Sequence, residues 1–303
     1  MKQILYITKP SRIEMQMNYV IINTNKTTKM FAENISLIII DSDQSVITTH
    51  AINFLASNGI MIIYCDNKHL PNAYSLGYNT NCDAPKNLMI QVQWKDKIKA
   101  ALWTNIIKNK ITNQTNVLKD WKKMEYLKEI KNHLEEIEFD DKTNKEGSVA
   151  RLYFSSLFNE GFNRNDADNV FNKCLDYLYT VLTAIFARTI AIYGYNNQLG
   201  IKHCNTFNFW NLACDFIEPF RPIVDDYILT NKIEEFDKKR LLNFVRCQVK
   251  WKDKWYNIQN AIYLYVGELL NFLNEKSVKF FSILEYDTQI DEKYNVSCEK
   301  QTE

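Results

Sequence analysis

The first ninety residues alternate short apolar runs with polar turn sequences, a pattern typical of β-strands. The apolar runs are rich in β-branched residues and lie at residues 19–22, 35–40, 46–49 and 60–64. Turn residues separate these runs, and residues 50–57 fit two turns of helix between two strands. We therefore predict a small β-rich domain at residues 1–80 with one helix.

From Leu88 onward the apolar spacing changes to that of amphipathic helices. Ile98, Leu102 and Ile106 fall on one helical face, as do Ile258 and Ile262 near the end. This pattern predicts an α+β protein, in which the β-rich domain is followed by a larger all-α domain. The boundaries expected are a hinge at residues 81–87, the helical domain at 88–285 and a polar tail at 286–303.

Chain length and composition predict two soluble domains, and the net charge limits how a nucleic-acid partner could be bound. A chain of 303 residues exceeds what one hydrophobic core usually organises. With 46% hydrophobic and 24% charged residues, the protein falls in the ordinary globular class, and extensive disorder is excluded. The net charge of +1 is too small to attract nucleic acid as a whole, so a nucleic-acid partner requires local basic patches.

The cysteines and the apolar segments indicate a cytoplasmic protein. The seven cysteines are scattered and contain no Cys-x-x-Cys motif, which disfavours a disulfide framework or a zinc ribbon. The apolar stretch at residues 174–195 is interrupted by Asp176 and Arg188, so it predicts a buried helix rather than a membrane span. No membrane association is expected.

A candidate site begins at His203, which lies in a polar loop after this apolar helix. Asp215 and Glu218 follow it, and their i, i+3 spacing allows both carboxylates to point the same way from one helix. Pro219 ends such a helix at Glu218. On the residues alone, an ordinary surface helix end explains this segment better than a functional site.

Glu146 is a further candidate with a competing structural explanation. Residues 143–146, Thr-Asn-Lys-Glu, match a capping box, which locally favours a structural role for Glu146. One imidazole and two or three carboxylates form a mixed nitrogen and oxygen site for Mg²⁺ or Mn²⁺. Phosphodiester chemistry suits such an ion, and the sequence contains no phosphate loop, dinucleotide fingerprint or nucleophile elbow.

Two basic segments with aromatic neighbours are candidates for DNA binding. Basic and polar side chains there could bind phosphates, and tryptophan offers a stacking face. The candidate residues are Lys108, Lys110, Asn113 and Gln114 in the first segment and Lys250, Lys252 and Lys254 in the second. A solvated helix face and an amphipathic loop explain these two segments equally well.

Taken together, several motifs resemble the Cas1 family of CRISPR-associated endonucleases and integrases. The signature-like segments are Gly-Ile-Lys-His at 200–203, Phe-Trp-Asn-Leu-Ala at 209–213 and Asp-Phe-Ile-Glu-Pro-Phe-Arg-Pro-Ile-Val-Asp at 215–225. Segments at 39–41, 48–50, 65–72, 102–103, 108–111, 113–114, 146–147 and 150–151 resemble the type II branch. The resemblance runs from about Thr8 to Leu273.

The resemblance implies roles for individual residues. Glu146, His203 and Glu218 would be the catalytic ligands of Mg²⁺ or Mn²⁺, with Asp215 as a neighbouring second acidic residue. Arg221, inside the motif, becomes another candidate for DNA contact. The sequence departs from the family pattern at Lys202, where a second histidine is common, and at Cys214, where aspartate is common. Neither residue is one of the three expected ligands, so the implied chemistry is kept, but the surroundings of the metal would differ from the family pattern.

The resemblance also implies a function and its partners. A metal-dependent DNA endonuclease and integrase would insert protospacer DNA into a CRISPR repeat by attack of a 3′-hydroxyl on a phosphodiester. The expected partners are double-stranded and branched DNA, a second copy bound through the β-rich domain as a homodimer, and Cas2 in a heterohexamer. A type II effector nuclease and an accessory adaptation subunit would complete the set. The alternatives are a non-catalytic nucleic-acid-binding scaffold and an RNA-directed metallonuclease.

Overall fold

A computed structural model describes residues 3–67, 71–77, 81–158, 161–252 and 254–274. The chain divides into two compact units. The first contains Met1–Gln93 with Ala184–Asn197, and the second contains Trp94–Thr183 with Gln198–Glu303. The predicted fold class is confirmed, because a β-rich N-terminal region precedes a mostly helical one. The predicted polar tail at 286–303 lies outside the described residues.

The first unit is built on two four-stranded sheets. Its strands are β1 (Gln3–Ile7), β2 (Arg12–Gln16), β3 (Tyr19–Asn23), β4 (Thr27–Phe31), β5 (Ile35–Ile40), β6 (Val46–Ile47), β7 (Met61–Cys65) and β8 (Pro71–Ser75). One sheet has the order β1-β5-β7-β8, with β8 antiparallel to an otherwise parallel set. The other has the order β4-β3-β2-β6. All six residues of β5 are buried, as expected of a strand covered on both faces.

The predicted helix between strands is α1 (Thr49–Ser57), which begins where Thr48 accepts a hydrogen bond from the Ala51 N–H at 3.2 Å. A second helix, α2 (Ala84–Val92), follows the sheets, so the segment predicted as a hinge contains the start of α2. Side-chain amides of Asn81 and Asn87 donate to the carbonyls of Ile192 and Tyr193. These two amides satisfy carbonyl groups at the C-terminus of the helix that ends at Ile192, and residues 184–197 also belong to this unit.

The second unit is helical and arranged around α3. Its elements are α3 (Asp96–Asp120), α4 (Leu127–Glu135), α5 (Lys145–Phe158), most of α6 (Val170–Ile192), α7 (Asn211–Phe216), α8 (Arg221–Thr230), α9 (Lys238–Leu242), β9 (Gln248–Trp251), β10 (Lys254–Asn257) and α10 (Ile258–Asn274). A short 3₁₀ turn, Glu218–Phe220, joins α7 to α8. Helix α3 contacts α4, α5, α7, α8 and α10, so its 25 residues form the centre of this unit.

Helix α6 is, within the described ranges, the one helix long and apolar enough to cross a membrane. Two thirds of its most apolar window is buried inside the protein. Buried core helices have the same length and composition, so α6 gives only weak evidence for a membrane span.

Candidate active site

The centre of the candidate site is the ammonium group of Lys110 on α3. Nζ lies 2.6 Å from Oε1 of Glu146, at the start of α5, and 2.6 Å from Oε2 of Glu218, in the 3₁₀ turn. Lys110 is 8% and Glu218 4% exposed. Two glutamates that are 72 positions apart in sequence are thus joined by one buried cation.

The start of α5 explains why the Glu146 side chain is available to Lys110. Asp141 accepts the N–H groups of Lys145 and Glu146 at 2.8 and 3.1 Å, and so satisfies donors that the first helical turn leaves unpaired. The local expectation of a capping box at residues 143–146 is wrong, because α5 begins at Lys145 and Asp141 caps it.

Glu218 is held ionised although it is buried. Burial alone would raise its pKa, but Arg221, whose Nε donates to Oε1 at 2.9 Å, and Lys110 outweigh burial and lower the pKa to about 2. Asn113 fixes the same turn, since its Nδ2 donates to the carbonyl of Pro219 at 2.8 Å. Burial lowers and the two glutamates raise the pKa of Lys110, with a net rise.

His203 is fixed by Asp215, which is fully buried in α7. Nδ1 lies 2.7 Å from Oδ1 of Asp215, and the same carboxylate accepts the backbone N–H groups of Ile201, Lys202 and His203. The hydrogen bond with Asp215 is the main reason that the His203 pKa is raised, against the effect of burial. The charges of Glu218 and Glu146 add to this rise, so all three side chains share one electrostatic environment.

These contacts do not enclose a metal position. In the part of the chain that the structure describes, no group of three His, Cys, Asp or Glu side chains is arranged to hold one metal ion. Glu146 and Glu218 are brought together through Lys110, while the described bond of the His203 ring is to Asp215. Lys202, one of the departures from the family pattern, pairs with Asp140 at 3.1 Å.

The candidate DNA-binding residues differ in exposure. In the first segment Lys108 is exposed, whereas Lys110, Asn113 and Gln114 are buried. Arg221 is engaged by Glu218 and lies over the Tyr179 ring, 4.7 Å from its centroid. The second segment forms the β9–β10 hairpin.

Within that hairpin Lys252 and Lys254 are exposed, and Lys250 is half-buried. The Lys252 ammonium forms an ion pair with Glu268 of α10 and lies 4.9 Å from the centroid of the Trp251 ring. Lys254, at the start of β10, is a second exposed cation of this hairpin. The next residue, Trp255, presents a half-exposed ring.

A cavity of about 600 Å³ adjoins Glu146 and Glu218, and sequence reasoning missed three residues on its wall: Arg164, Tyr179 and Asp225. Tyr153 and Tyr179 both donate hydroxyl hydrogen bonds to Asp225, which is buried. The available signal for Arg164 was its position as the one basic residue in the Asn- and Asp-rich segment 161–169.

Comparison with known proteins identifies the family. The family profile described as "CRISPR associated protein Cas1" matches residues 5–240. The chain is also 35% identical over 222 residues to the CRISPR-associated endonuclease Cas1 of Neisseria meningitidis serogroup C (strain 8013), covering 73% of each chain. The chain belongs to the Cas1 family. A second Cas1 relative, from Saccharolobus solfataricus, is 27% identical over 189 residues, which is 59% of this chain and 58% of that one.

Solved structures share the Cas1 fold with this chain. A casposase bound to integration product matches with a TM-score of 0.74 at 17% identity, over 97% of this chain and 98% of that one. A Cas1 protein from Thermotoga maritima also matches with a TM-score of 0.74, at 16% identity, over 92% of this chain and all of the other. At these identities the likeness shows the fold. The sequence-based assignment to the Cas1 family is confirmed.

Proposed function

We propose that this Cas1 protein is a divalent-metal-dependent DNA endonuclease and integrase of CRISPR adaptation. In this reaction the 3′-hydroxyl of a protospacer attacks a phosphodiester at the edge of a CRISPR repeat. The observation that carries the proposal is the meeting of Glu146 and Glu218 on one buried cation, with His203 inside the same electrostatic environment. Charged groups held near one another in this way support the proposal, because a phosphodiester reaction needs its developing charge to be stabilised.

The residues fit Mg²⁺ or Mn²⁺ by their chemistry. Two carboxylates with one imidazole suit either ion, and the pairing of both carboxylates with the Lys110 ammonium supports an affinity of this place for positive charge. Glu146, His203 and Glu218 would hold the metal. When bound, it would stabilise negative charge on the attacking and leaving oxygens of the phosphodiester.

Neighbouring residues orient the proposed ligands and set their charge. Asp215 binds Nδ1 of His203, so the ring is oriented with Nε2 as the nitrogen left to bind a metal. Arg221 keeps Glu218 ionised, and Lys110 compensates the charge of both glutamates in the metal-free protein. The chain thus supplies an ionised Glu218 and an oriented imidazole before DNA arrives.

The proposed partners follow from family membership and the named relatives. The structural neighbours include a Cas6-RT-Cas1–Cas2 complex and a Cas1–DNA complex. By analogy, we assign to this chain double-stranded and branched DNA, a homodimer, and a heterohexamer with Cas2 in the cytoplasm, away from membranes. A type II effector nuclease and an accessory adaptation subunit belong to the same proposal.

The test is strand transfer of a protospacer-like duplex into a CRISPR repeat, with Cas2 present and with Mg²⁺, Mn²⁺ or EDTA. Wild type should form joined product only with metal, and His203→Ala should lose it. His50→Ala is the matched control, because His50 is an exposed histidine of the β-rich unit. Glu146→Gln and Glu218→Gln should behave like His203→Ala.

The same assay separates the alternatives. Equal product from wild type and His203→Ala, or no product from either with Cas2 present, would support a non-catalytic scaffold instead. Faster metal-dependent cleavage of RNA than of branched DNA would support an RNA-directed nuclease.

A further inference from the structure

One side chain, Lys202, joins the loop that carries His203 to the turn that precedes Glu146. Its ammonium donates to the backbone carbonyl of Asp140 at 3.0 Å and lies 3.1 Å from Oδ2 of the same residue. The two residues are 62 positions apart in sequence, and Lys202 immediately precedes His203. Lys202 is also one of the two departures from the family pattern, so the family pattern does not supply this contact.

Asp140 lies directly before the residue that caps α5. Asp141 accepts the backbone N–H groups of residues 145 and 146 at 2.8 and 3.1 Å. One planar peptide bond joins Asp140 to Asp141, so a displacement of the first residue displaces the cap. The position of the Glu146 backbone therefore depends on where Asp140 is held.

The turn at residues 140–144 has a backbone that needs support from outside. Asp140, Asp141 and Asn144 have φ angles of 68°, 47° and 52°. Residues other than glycine adopt this region at a cost, and they keep it where the surrounding structure holds them there. Thr104 on α3 gives part of this support, since its Oγ1 accepts the Asp140 N–H at 2.8 Å. Lys202 adds the contact that reaches the His203 loop.

The His203 end of this connection is fixed as well. The His203 backbone N–H donates to Asp215 at 3.0 Å. The imidazole ring meets the Trp103 ring edge to face, with the ring centroids 5.8 Å apart. Trp103 and Thr104 are consecutive residues of α3, so the same helical turn contacts both the His203 ring and Asp140. Lys202 then ties the loop to the turn directly.

An ammonium at this place has a second possible partner, a DNA phosphate. The Lys202 side chain is 38% and the Asp140 side chain 32% exposed, and an ion pair of this exposure contributes little by itself. The ammonium also donates to the Asp140 carbonyl, however, so a phosphate would have to replace two acceptors of one residue. The two contacts together favour a structural partner over DNA.

We propose that Lys202 is a positioning residue that, by binding Asp140, sets the distance between His203 and Glu146. In this role it acts through Asp140 and makes no contact with DNA. The inference rests on the function proposed above, because the distance between these two side chains matters only if both serve one reaction.

Hydrogen exchange in the full-length, metal-free protein tests the connection without an assay of activity. Lys202→Met should speed exchange of the backbone N–H groups of residues 145 and 146 about 5-fold, because their acceptor loses an anchor. Lys142→Met is the matched control, since Lys142 is exposed in the same turn and its loss should leave these groups unchanged. Lys202→Arg should restore most of the protection, because a guanidinium can also donate to a carbonyl and a carboxylate.

A double-mutant cycle shows whether the effect passes through Asp140. Asp140→Asn removes the ion pair and keeps both the carbonyl and a residue type that tolerates positive φ. In the wild-type background it should speed exchange at residues 145 and 146. In a Lys202→Met background it should change exchange by less than about 2-fold, because the partner of the carboxylate is already gone.

Strand transfer with Cas2 and Mn²⁺ separates positioning from DNA binding. Lys202→Met should lower kcat about 10-fold and leave the apparent KM for DNA unchanged, because a misplaced catalytic group slows the reaction without weakening binding. If Lys202 contacted a phosphate instead, the same variant would raise KM and reduce the slope of log K against log salt by about 1.

Three outcomes would overturn the inference while leaving the proposed function intact. These are equal exchange in Lys202→Met and Lys142→Met, additive effects of Lys202→Met and Asp140→Asn, and a raised KM with a reduced salt slope. Thermal unfolding of each variant excludes misfolding, and Asp140→Asn with Lys202→Arg tests the connection even if Lys202→Met is unstable. Failure of wild type itself to join DNA, with the expected exchange pattern present, would overturn the proposed function and leave the connection between the two segments established.

Discussion

The Asp215 carboxylate holds the His203 ring through Nδ1 at 2.7 Å and also accepts the backbone N–H groups of residues 201–203. One buried side chain therefore fixes both the ring and the loop that carries it. Asp215 therefore acts on the imidazole of His203, as a residue behind a metal ligand does. The same hydrogen bond is the main cause of the raised His203 pKa.

Asp215→Asn should weaken Mn²⁺ binding by about 10- to 100-fold, the usual effect of removing a carboxylate behind a metal-binding histidine. An asparagine can still accept from the backbone with its oxygen but lacks the charge that holds the imidazole. Isothermal titration with Mn²⁺ measures the change, and Asp226→Asn on α8 is the control for loss of a buried aspartate. Equal Mn²⁺ affinity in Asp215→Asn and wild type would contradict the positioning role.

Gly200→Ala should disrupt the same loop. A Cβ at this position would lie 2.3 Å from the His203 carbonyl oxygen and 2.7 Å from Oδ2 of Asp215, so the backbone must move. A displacement of about 1 Å at a catalytic group can cost about 100-fold in rate, and we expect a loss of strand transfer of that order.

The control for this prediction is Gly147→Ala, measured by thermal unfolding beside Gly200→Ala. There a Cβ would meet only the side-chain amide of Asn144, at 2.9 Å, so a side chain has to shift and the backbone does not, at the cost of the 3.3 Å hydrogen bond from the Gly147 N–H to Asn144 Oδ1. Alanine also favours the helix that contains Gly147. If Gly200→Ala unfolded no earlier than Gly147→Ala and kept its activity, the tight approach at Gly200 would be unimportant.

Lys110→Met should destabilise the metal-free protein by about 3 kcal/mol or more, because removing one partner leaves buried carboxylate charge unpaired. Mn²⁺ should then raise the unfolding temperature of Lys110→Met by more than that of wild type. Lys108→Met is the control on the same helix; Lys108 is exposed, and its loss should change stability by less than about 0.5 kcal/mol. Similar losses in both variants would argue against a structural role for the Lys110 cation.

Local sequence predicted most of the strands that carry their own apolar signal, although it missed β1 (Gln-Ile-Leu-Tyr-Ile), and it also missed strands that depend on their partners. The runs in β3, β5 and β7 are β-branched and buried, so their pattern is visible without a structure. Strands β2 (Arg-Ile-Glu-Met-Gln) and β4 (Thr-Thr-Lys-Met-Phe) carry polar and charged side chains. They form because each pairs with β3, a relationship that strand composition does not contain.

The residues of the candidate site also fall into those that the sequence predicted and those that only the packing of the chain reveals. The proposed roles of His203 and Glu218 rest on three neighbouring segments, 200–203, 209–213 and 215–225, whose residues resemble the Cas1 family. Lys110 was expected to meet DNA, and its pairing with both glutamates depends on the packing of α3 against α5 and the 3₁₀ turn. Arg164 belongs to no motif recognised in the sequence, where it differs from its neighbours only as the one basic residue of segment 161–169, and its position on the cavity wall is visible only in the structure.

Asp225 provides a pH-dependent test of the cavity wall. Burial raises its pKa from 3.8 to about 6, although hydrogen bonds from Tyr179 and Tyr153 and the charges of Arg164 and Arg221 act in the opposite direction. Between about pH 4 and 6 the folded protein therefore binds a proton that the unfolded chain has lost. The contribution of Asp225 to the free energy of unfolding consequently decreases as pH rises through this window.

Asp225→Asn should remove this pH dependence, because asparagine stays neutral. The free energy of unfolding of wild type minus that of Asp225→Asn should fall by up to about 3 kcal/mol between pH 4 and pH 7. Urea unfolding of both proteins at pH 4, 5, 6 and 7 measures this difference and cancels the effects of other titrating groups. A difference that is constant or rises with pH would mean that the buried carboxyl is ionised throughout, with its two tyrosine hydroxyls sufficient to stabilise the charge.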